Sequence, residues 1–218
     1  MNPEKAMRWI AERLHDHYGE ISVTTSNRLE ELISTILSQN TNDTNRDRAY
    51  TSLLSHFGDL DKVRQAPIEK IAKAIQVGGL HRQKSSRIKL VLERIMRERG
   101  SLDLSFLADL PLDRAMAWLL ASPGVGKKTA GIVMLFSFGK PYFPVDTHIR
   151  RVTTRLGLVR KKDDPHQRMN ALLPPDPALM RRLHLQLIRL GREICHPRRP
   201  ECPTCPLSDH CAWRAETF

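Results

Sequence analysis

LASPGVGKKTAGIVMLFSFGKPYFPVDTH, residues 120–148, holds a glycine turn between two apolar runs. Met116, Leu119 and Leu120 lie before Pro123-Gly124-Val125-Gly126; Ala130, Val133 and Met134 lie after it. That spacing predicts two helices joined by a tight turn, the second running through Phe136. Glycine at 124 and 126 permits positive φ and leaves no side chain over the backbone. A helix starting there aims unpaired N–H groups outward, which makes an anion site, and Lys127 adds positive charge. Such a hairpin can hold a DNA phosphate without reading a base. The same residues also allow a plain packing corner carrying two solvated lysines.

The composition bounds the partner. Lysine and arginine number 35 against 24 acids, for a net charge of +11 and a pI near 9.9. That balance favours a polyanion, and nucleic acid over a membrane surface. No apolar run approaches the ~18 residues of a membrane span. The first turns of the chain are charged throughout and lack an apolar h-region, so no signal peptide is expected and the location read is cytoplasmic and nucleoid-associated. The four cysteines fall between Cys195 and Cys211, where a disulfide framework would scatter them; a reduced compartment and a metal site follow.

Helical periodicity dominates the remainder, and no alternating strand pattern stands out, so the fold class is all-α. Residues 3–18 form an amphipathic helix with Ile10, Leu14 and Tyr18 on one face. Asn27, with Glu30 three residues on, opens a helix bearing Leu29, Leu32, Ile33, Ile36 and Leu37. The polar run Ser38-Gln39-Asn40-Thr41-Asn42 follows, and Asn42 or Asp43 caps the next helix. Ala66-Pro67 opens a helix containing Ile68, Ile71, Ile75 and Val77 that Gly78-Gly79 stops; another spans Ser86 to Met96. Beyond the hairpin, Asp146 or Thr147 starts a helix, 160–164 is a charged loop, and Leu183 to Leu190 is the last amphipathic helix.

Leu120 to Ala130, Val145 to Arg151 and the cysteines together resemble the endonuclease III family, DNA base-excision glycosylases of the helix-hairpin-helix superfamily, with weaker similarity over Leu37 to Asp43 and Gly79 to Ser85. The resemblance implies two helical domains flanking a DNA-binding groove. A central domain would span residues 22–133, with the helix-hairpin-helix at about 112–137. A discontinuous second domain, 1–21 plus 134–218, would carry the cysteines. It implies a monomer acting on double-stranded DNA that contains a damaged base or abasic site.

It also assigns roles. Lys128 is the nucleophile that attacks C1′ and forms a Schiff base, and Asp146 is the second catalytic group. A lysine attacks only as the neutral amine, and a catalytic one is tuned from ~10.4 to roughly 7–8. Asp146 before a helix is also an ordinary N-cap, and both roles can hold at once. DNA contacts fall to Gly124, Val125, Gly126, Lys127, Thr129 and His148. Gln39, Asn40, Leu80 and His81 are the candidates that fill the gap left by an extruded base. Here the chain departs from the usual family pattern, which puts its glutamine at the position of Asn40. Cys195-x6-Cys202-x2-Cys205-x5-Cys211 suits zinc or a [4Fe–4S] cluster as a donor set, and the family spacing is that of the cluster. Arg198 and Arg199, between the first two cysteines, would face phosphates. The activity implied is a bifunctional glycosylase and abasic-site lyase for oxidised pyrimidines; a thymine or uracil mismatch glycosylase and a non-catalytic DNA-binding module are the competing readings.

Overall fold

The computed structural model describes residues 3–21 and 27–217. Among the described residues the chain is helical throughout: α1 (Pro3–Tyr18), α2 (Arg28–Leu37), α3 (Asp43–Phe57), α4 (Leu60–Gln65), α5 (Ile68–Ala74), α6 (His81–Arg99), α7 (Leu112–Leu120), α8 (Lys127–Ile132), α9 (Thr147–Arg155), α10 (Pro165–Leu172), α11 (Pro177–Glu193) and α12 (Ala212–Thr217). None of these helices is long and apolar enough to cross a membrane. The chain divides into two compact units, one of Thr25–Phe138 and one built from the described residues of Met1–Thr24 with Gly139–Phe218.

In the continuous unit, α2 is the central element. Asn27 accepts from the Leu29 amide and starts it. Its five apolar residues recur at i, i+3, i+4, i+7 and i+8, and all are buried: Leu29, Leu32, Ile33, Ile36 and Leu37. Each such burial contributes roughly 1.5–3 kcal/mol. α2 packs on α3, α6 and α8, so it underlies the hairpin directly. α6 crosses the same core through Ile88, Val91, Leu92 and Ile95.

Several expectations need correction. α5 stops at Ala74; Ile75 caps it and Val77 lies in a following 3-10 turn, while Ile68 faces solvent. α6 begins at His81, five residues before the expected Ser86, so His81 is a helical residue and not part of the loop. Residues 60–65 and 165–172 form helices that the sequence reading did not assign, capped by Asp59 and Asp164. α11 runs Pro177–Glu193, well beyond the expected span, and α12 follows it.

In the discontinuous unit, α1 packs on α10 and α11, and α9 on α11 and α12. Gln186 on α11 donates to the Gly19 carbonyl at 3.0 Å, tying the two distant stretches of chain together.

Candidate DNA-repair active site

The hairpin sits in the continuous unit. α7 ends at Leu120, and the Val125 amide closes the turn by donating to the Ser122 carbonyl at 3.1 Å. Gly124 takes φ +77, whereas Gly126 is extended at φ −94; only the first glycine uses the left-handed region. Gly126 caps α8, whose first internal bond runs from the Ala130 amide to the Gly126 carbonyl. The amides ahead of Ala130 precede the first intrahelical bond, at the helix end that the sequence reading expects to bind an anion. Val125 is not among its donors, since its amide is spent inside the turn. Val125 and Thr129 are both buried, at 5% and 3% exposed, so the contact that the sequence reading gives them falls to the main chain. Lys127 is exposed and Lys128 half-buried in the first turn of α8. The helix then widens into a π turn, Val133–Ser137, whose first three residues are buried.

Arg94 of α6 fixes the far end of α7, donating to the Trp118 carbonyl at 2.8 Å and to the Ser122 hydroxyl at 2.6 Å. Two loops of the same unit hold the candidate gap-filling residues. Asn40 and Leu80 are the two non-glycine residues with positive φ among the described residues, at +52 and +47, and both are exposed. A non-glycine residue in that region costs on the order of 1–3 kcal/mol and persists only where its surroundings hold it. Lys84 supplies that hold. It is fully buried, and its Nζ donates to the carbonyls of Leu37 and Gly78, each at 2.7 Å. Gln39 differs from its neighbour: its amide is bonded within the unit, to the Gly124 carbonyl and to Arg87.

Asp146 stands in the other unit. It caps α9, its Oδ1 accepting from the Ile149 amide at 2.7 Å. The segment leading to it is pinned by side chains. Asn170 accepts from the Phe143 amide and donates to the Phe143 carbonyl, at 2.8 and 3.1 Å. His166 Nδ1 accepts from the Val145 amide, and the buried His184 bonds the Pro144 carbonyl. His148 is half-buried, 3.2 Å from Arg151 Nη2, and packed so closely on α11 that a Cβ at Gly191 would lie 2.8 Å from its own.

The four cysteines are free thiols lining one cavity with Arg155 and Trp213. Arg155 Nη1 donates to Cys195 Sγ at 3.2 Å, and the guanidinium also holds the His196 and Pro197 carbonyls, at 2.7 and 2.9 Å. Those bonds clamp the base of the loop on which Arg198 and Arg199 are exposed. Burial, with the charges of Cys195, Cys211 and Cys202, pushes the Cys205 thiol up to about 11, against donation from the Leu207 amide. A metal centre binds the deprotonated thiolate, so its binding would draw that proton off. Among the described residues no group of three His, Cys, Asp or Glu side chains is arranged to hold a metal ion.

Residues 33–175 match the model of the HhH-GPD superfamily base excision DNA repair proteins. The endonuclease III of Sulfolobus acidocaldarius is 35% identical over 194 residues, 87% of this chain and 83% of the relative. That of Thermotoga maritima is 34% identical over 182 residues, covering 83% and 80%. The chain belongs to the endonuclease III family of this superfamily. A trapped endonuclease III–DNA covalent intermediate superposes with a TM-score of 0.81 at 25% identity, over 99% of both chains. In this family member, α7 and α8 are the helices of the helix-hairpin-helix.

Lys84, Arg87, Arg94 and Asn170 were not read from the sequence as parts of the site. Lys84 alone carried a signal, since it lies in register with the apolar stripe of α6.

Proposed function

We propose that the protein is a bifunctional DNA glycosylase and abasic-site lyase that removes oxidised pyrimidines. The observation that carries this reading is the placement of Lys128, half-buried on the first turn behind the glycine hairpin, in a chain that superposes end to end on a protein captured in covalent linkage to DNA. The Lys128 amine bonds to C1′ as the C1′–N glycosidic bond breaks, and the base leaves with a proton. The sugar ring opens to the Schiff base. Loss of a C2′ proton then expels the 3′ phosphate by β-elimination, breaking C3′–O. Asp146 stabilises the developing positive charge at the sugar and helps move protons. The amides behind Gly126, with Lys127, hold a phosphate; His148, on the first turn of α9, contacts the DNA backbone. Asn40 and Leu80 fill the space the base vacates.

Cys195, Cys202, Cys205 and Cys211, which line one cavity, would hold a [4Fe–4S] cluster. Structural zinc more often pairs two short knuckles, whereas this chain has one, Cys202-x2-Cys205, within the family's cluster spacing. Bound there, the cluster would cross-link the loop that presents Arg198 and Arg199. A monomer in the cytoplasm, at the nucleoid, is the setting this reading implies.

Borohydride reduction with a duplex carrying one abasic site tests the assignment. The parent is expected to form a covalent adduct and Lys128→Ala none, while both bind the duplex. Absence of an adduct with the parent, despite binding, would sink the lyase assignment. Duplexes with oxidised pyrimidines, uracil and G·T pairs identify the base removed, and a preference for G·T would favour the mismatch reading.

A further inference from the structure

Gln39 is offered by sequence as a gap-filling residue, but its side chain is engaged at both ends. Nε2 donates to the Gly124 carbonyl at 3.0 Å, and Oε1 accepts from Arg87 Nη1 at 2.6 Å. The second bond is charge-assisted and short. Arg87 is itself seated on the turn: a Cβ added at Gly124 would lie 2.3 Å from its Cδ and 2.7 Å from its Cγ. Gly124 is therefore glycine for two reasons, its φ and the room it leaves for the Arg87 stem. The adjacent Asn40 turns the other way, its left-handed backbone leaving the side chain exposed. One residue of the pair faces solvent and its neighbour grips the hairpin.

We propose that Gln39 is a positioning residue and not a wedge. Held by Arg87, it latches the Ser38–Asn42 loop to the Gly124 carbonyl, three residues before α8 begins and four before Lys128. Strain placed on Asn40 by an extruded base then reaches the turn that carries the amine. The loop that senses the vacated space and the hairpin that delivers the nucleophile move as one body. This rests on the assignment of Lys128 as nucleophile.

A wedge and a latch differ on DNA from which the base is already gone. A wedge is needed chiefly to extrude a base, whereas a latch sets the position of the amine and is needed even at a preformed abasic site. The test measures borohydride trapping at a single abasic site, under single turnover and across protein concentrations, with the full-length protein. It compares the parent, Gln39→Leu and Gln39→Glu. The glutamate keeps an acceptor for Arg87 but sets a carboxylate oxygen against the Gly124 carbonyl, so it separates the two bonds and offers a charged alternative should the leucine variant not fold. Both variants are expected to lose the saturating trapping rate by roughly ten- to a hundredfold, as small misplacements of reacting groups do. Half-saturating concentration and thermal unfolding midpoint should stay near the parent's, which a merely structural role would not allow. Parental trapping rates in the variants, with loss confined to release of a damaged base from an intact duplex, would make Gln39 a wedge and overturn the latch. Failure of the parent itself to trap overturns the Lys128 assignment, and the latch with it, before any variant is read.

Discussion

Lys84 Nζ lies 2.7 Å from the Leu37 carbonyl and the same distance from that of Gly78, so one fully buried ammonium joins the ends of two separate helical segments. Each segment leads directly into a loop with a left-handed residue at its tip, Asn40 or Leu80. Replacement by methionine keeps the stem but leaves two carbonyls without a donor. A loss of about 2–4 kcal/mol is expected, offset in part by removal of a buried charge. For a chain of this size that is a fall of roughly 5–15 °C in Tm, read by calorimetry.

Burial lowers the Lys84 pKa from its ordinary value of 10.5. The unfolded chain therefore holds this proton to higher pH than the folded chain does. The penalty for burying the charged form is complete below the lowered pKa and disappears as pH rises to the unfolded value. Between those two values stability should rise with pH in the parent relative to Lys84→Met. Urea unfolding from neutral pH to about 10 measures the difference, and a difference that falls with pH would contradict the assignment.

Gly124 and Gly126 should respond oppositely to alanine. At Gly124 the left-handed φ costs about 1–2 kcal/mol and the new methyl displaces Arg87, so Gly124→Ala should lose both stability and trapping. At Gly126 the backbone is extended and nothing lies within 4 Å of the added Cβ. Gly126→Ala should unfold within about 0.5 kcal/mol of the parent and show only weakened DNA affinity. Paired denaturation and binding curves decide it.

Asp146→Asn separates the cap from the chemistry. Asparagine caps a helix about as well as aspartate, so Tm should barely move. The carboxylate charge is lost, and base release should slow by roughly a hundredfold or more. Equal retention of stability and turnover would reduce Asp146 to a cap.

Arg198 and Arg199 should each contribute one phosphate contact. Replacing either by alanine is expected to flatten the dependence of log affinity on log salt by about 0.9, uniformly across duplex sequences. An unchanged slope would place the loop away from DNA.

The fold class and the hairpin were legible because apolar periodicity and glycine spacing are local signals. The five buried apolar residues of α2 could be named from spacing alone. Helix starts at Asp164-Pro165 and Asp176-Pro177 were also written in the sequence, as a cap followed by proline at the first helical position, yet the charges of 160–164 read as loop and Asp176-Pro177 drew no reading. α4 was invisible because a six-residue helix with one buried side chain, Val63, has no period to detect. Among site residues, Lys128 and Asp146 stand in recognisable motifs. The roles of Lys84, Gln39, Arg87 and Asn170 depend on partners far along the chain, and residue type does not announce those. Thr129, one step along α8 from Lys128, turns its side chain into the core.

The discontinuous unit closes only when chain ends meet. α1 rests on α10 and α11, and Gln186 reaches back to the Gly19 carbonyl. On the ribosome the hairpin unit, built from a single run of chain, can fold while synthesis continues. α1, which precedes that unit in the chain, has no partner for its apolar face until α10 and α11 have emerged. During that interval Ile10 and Leu14, which end up at 3% and 0% exposed, are open to chaperones and to neighbouring nascent chains. α1 is thus secured only after a unit that follows it in the chain, and the yield of active protein depends on how long it waits.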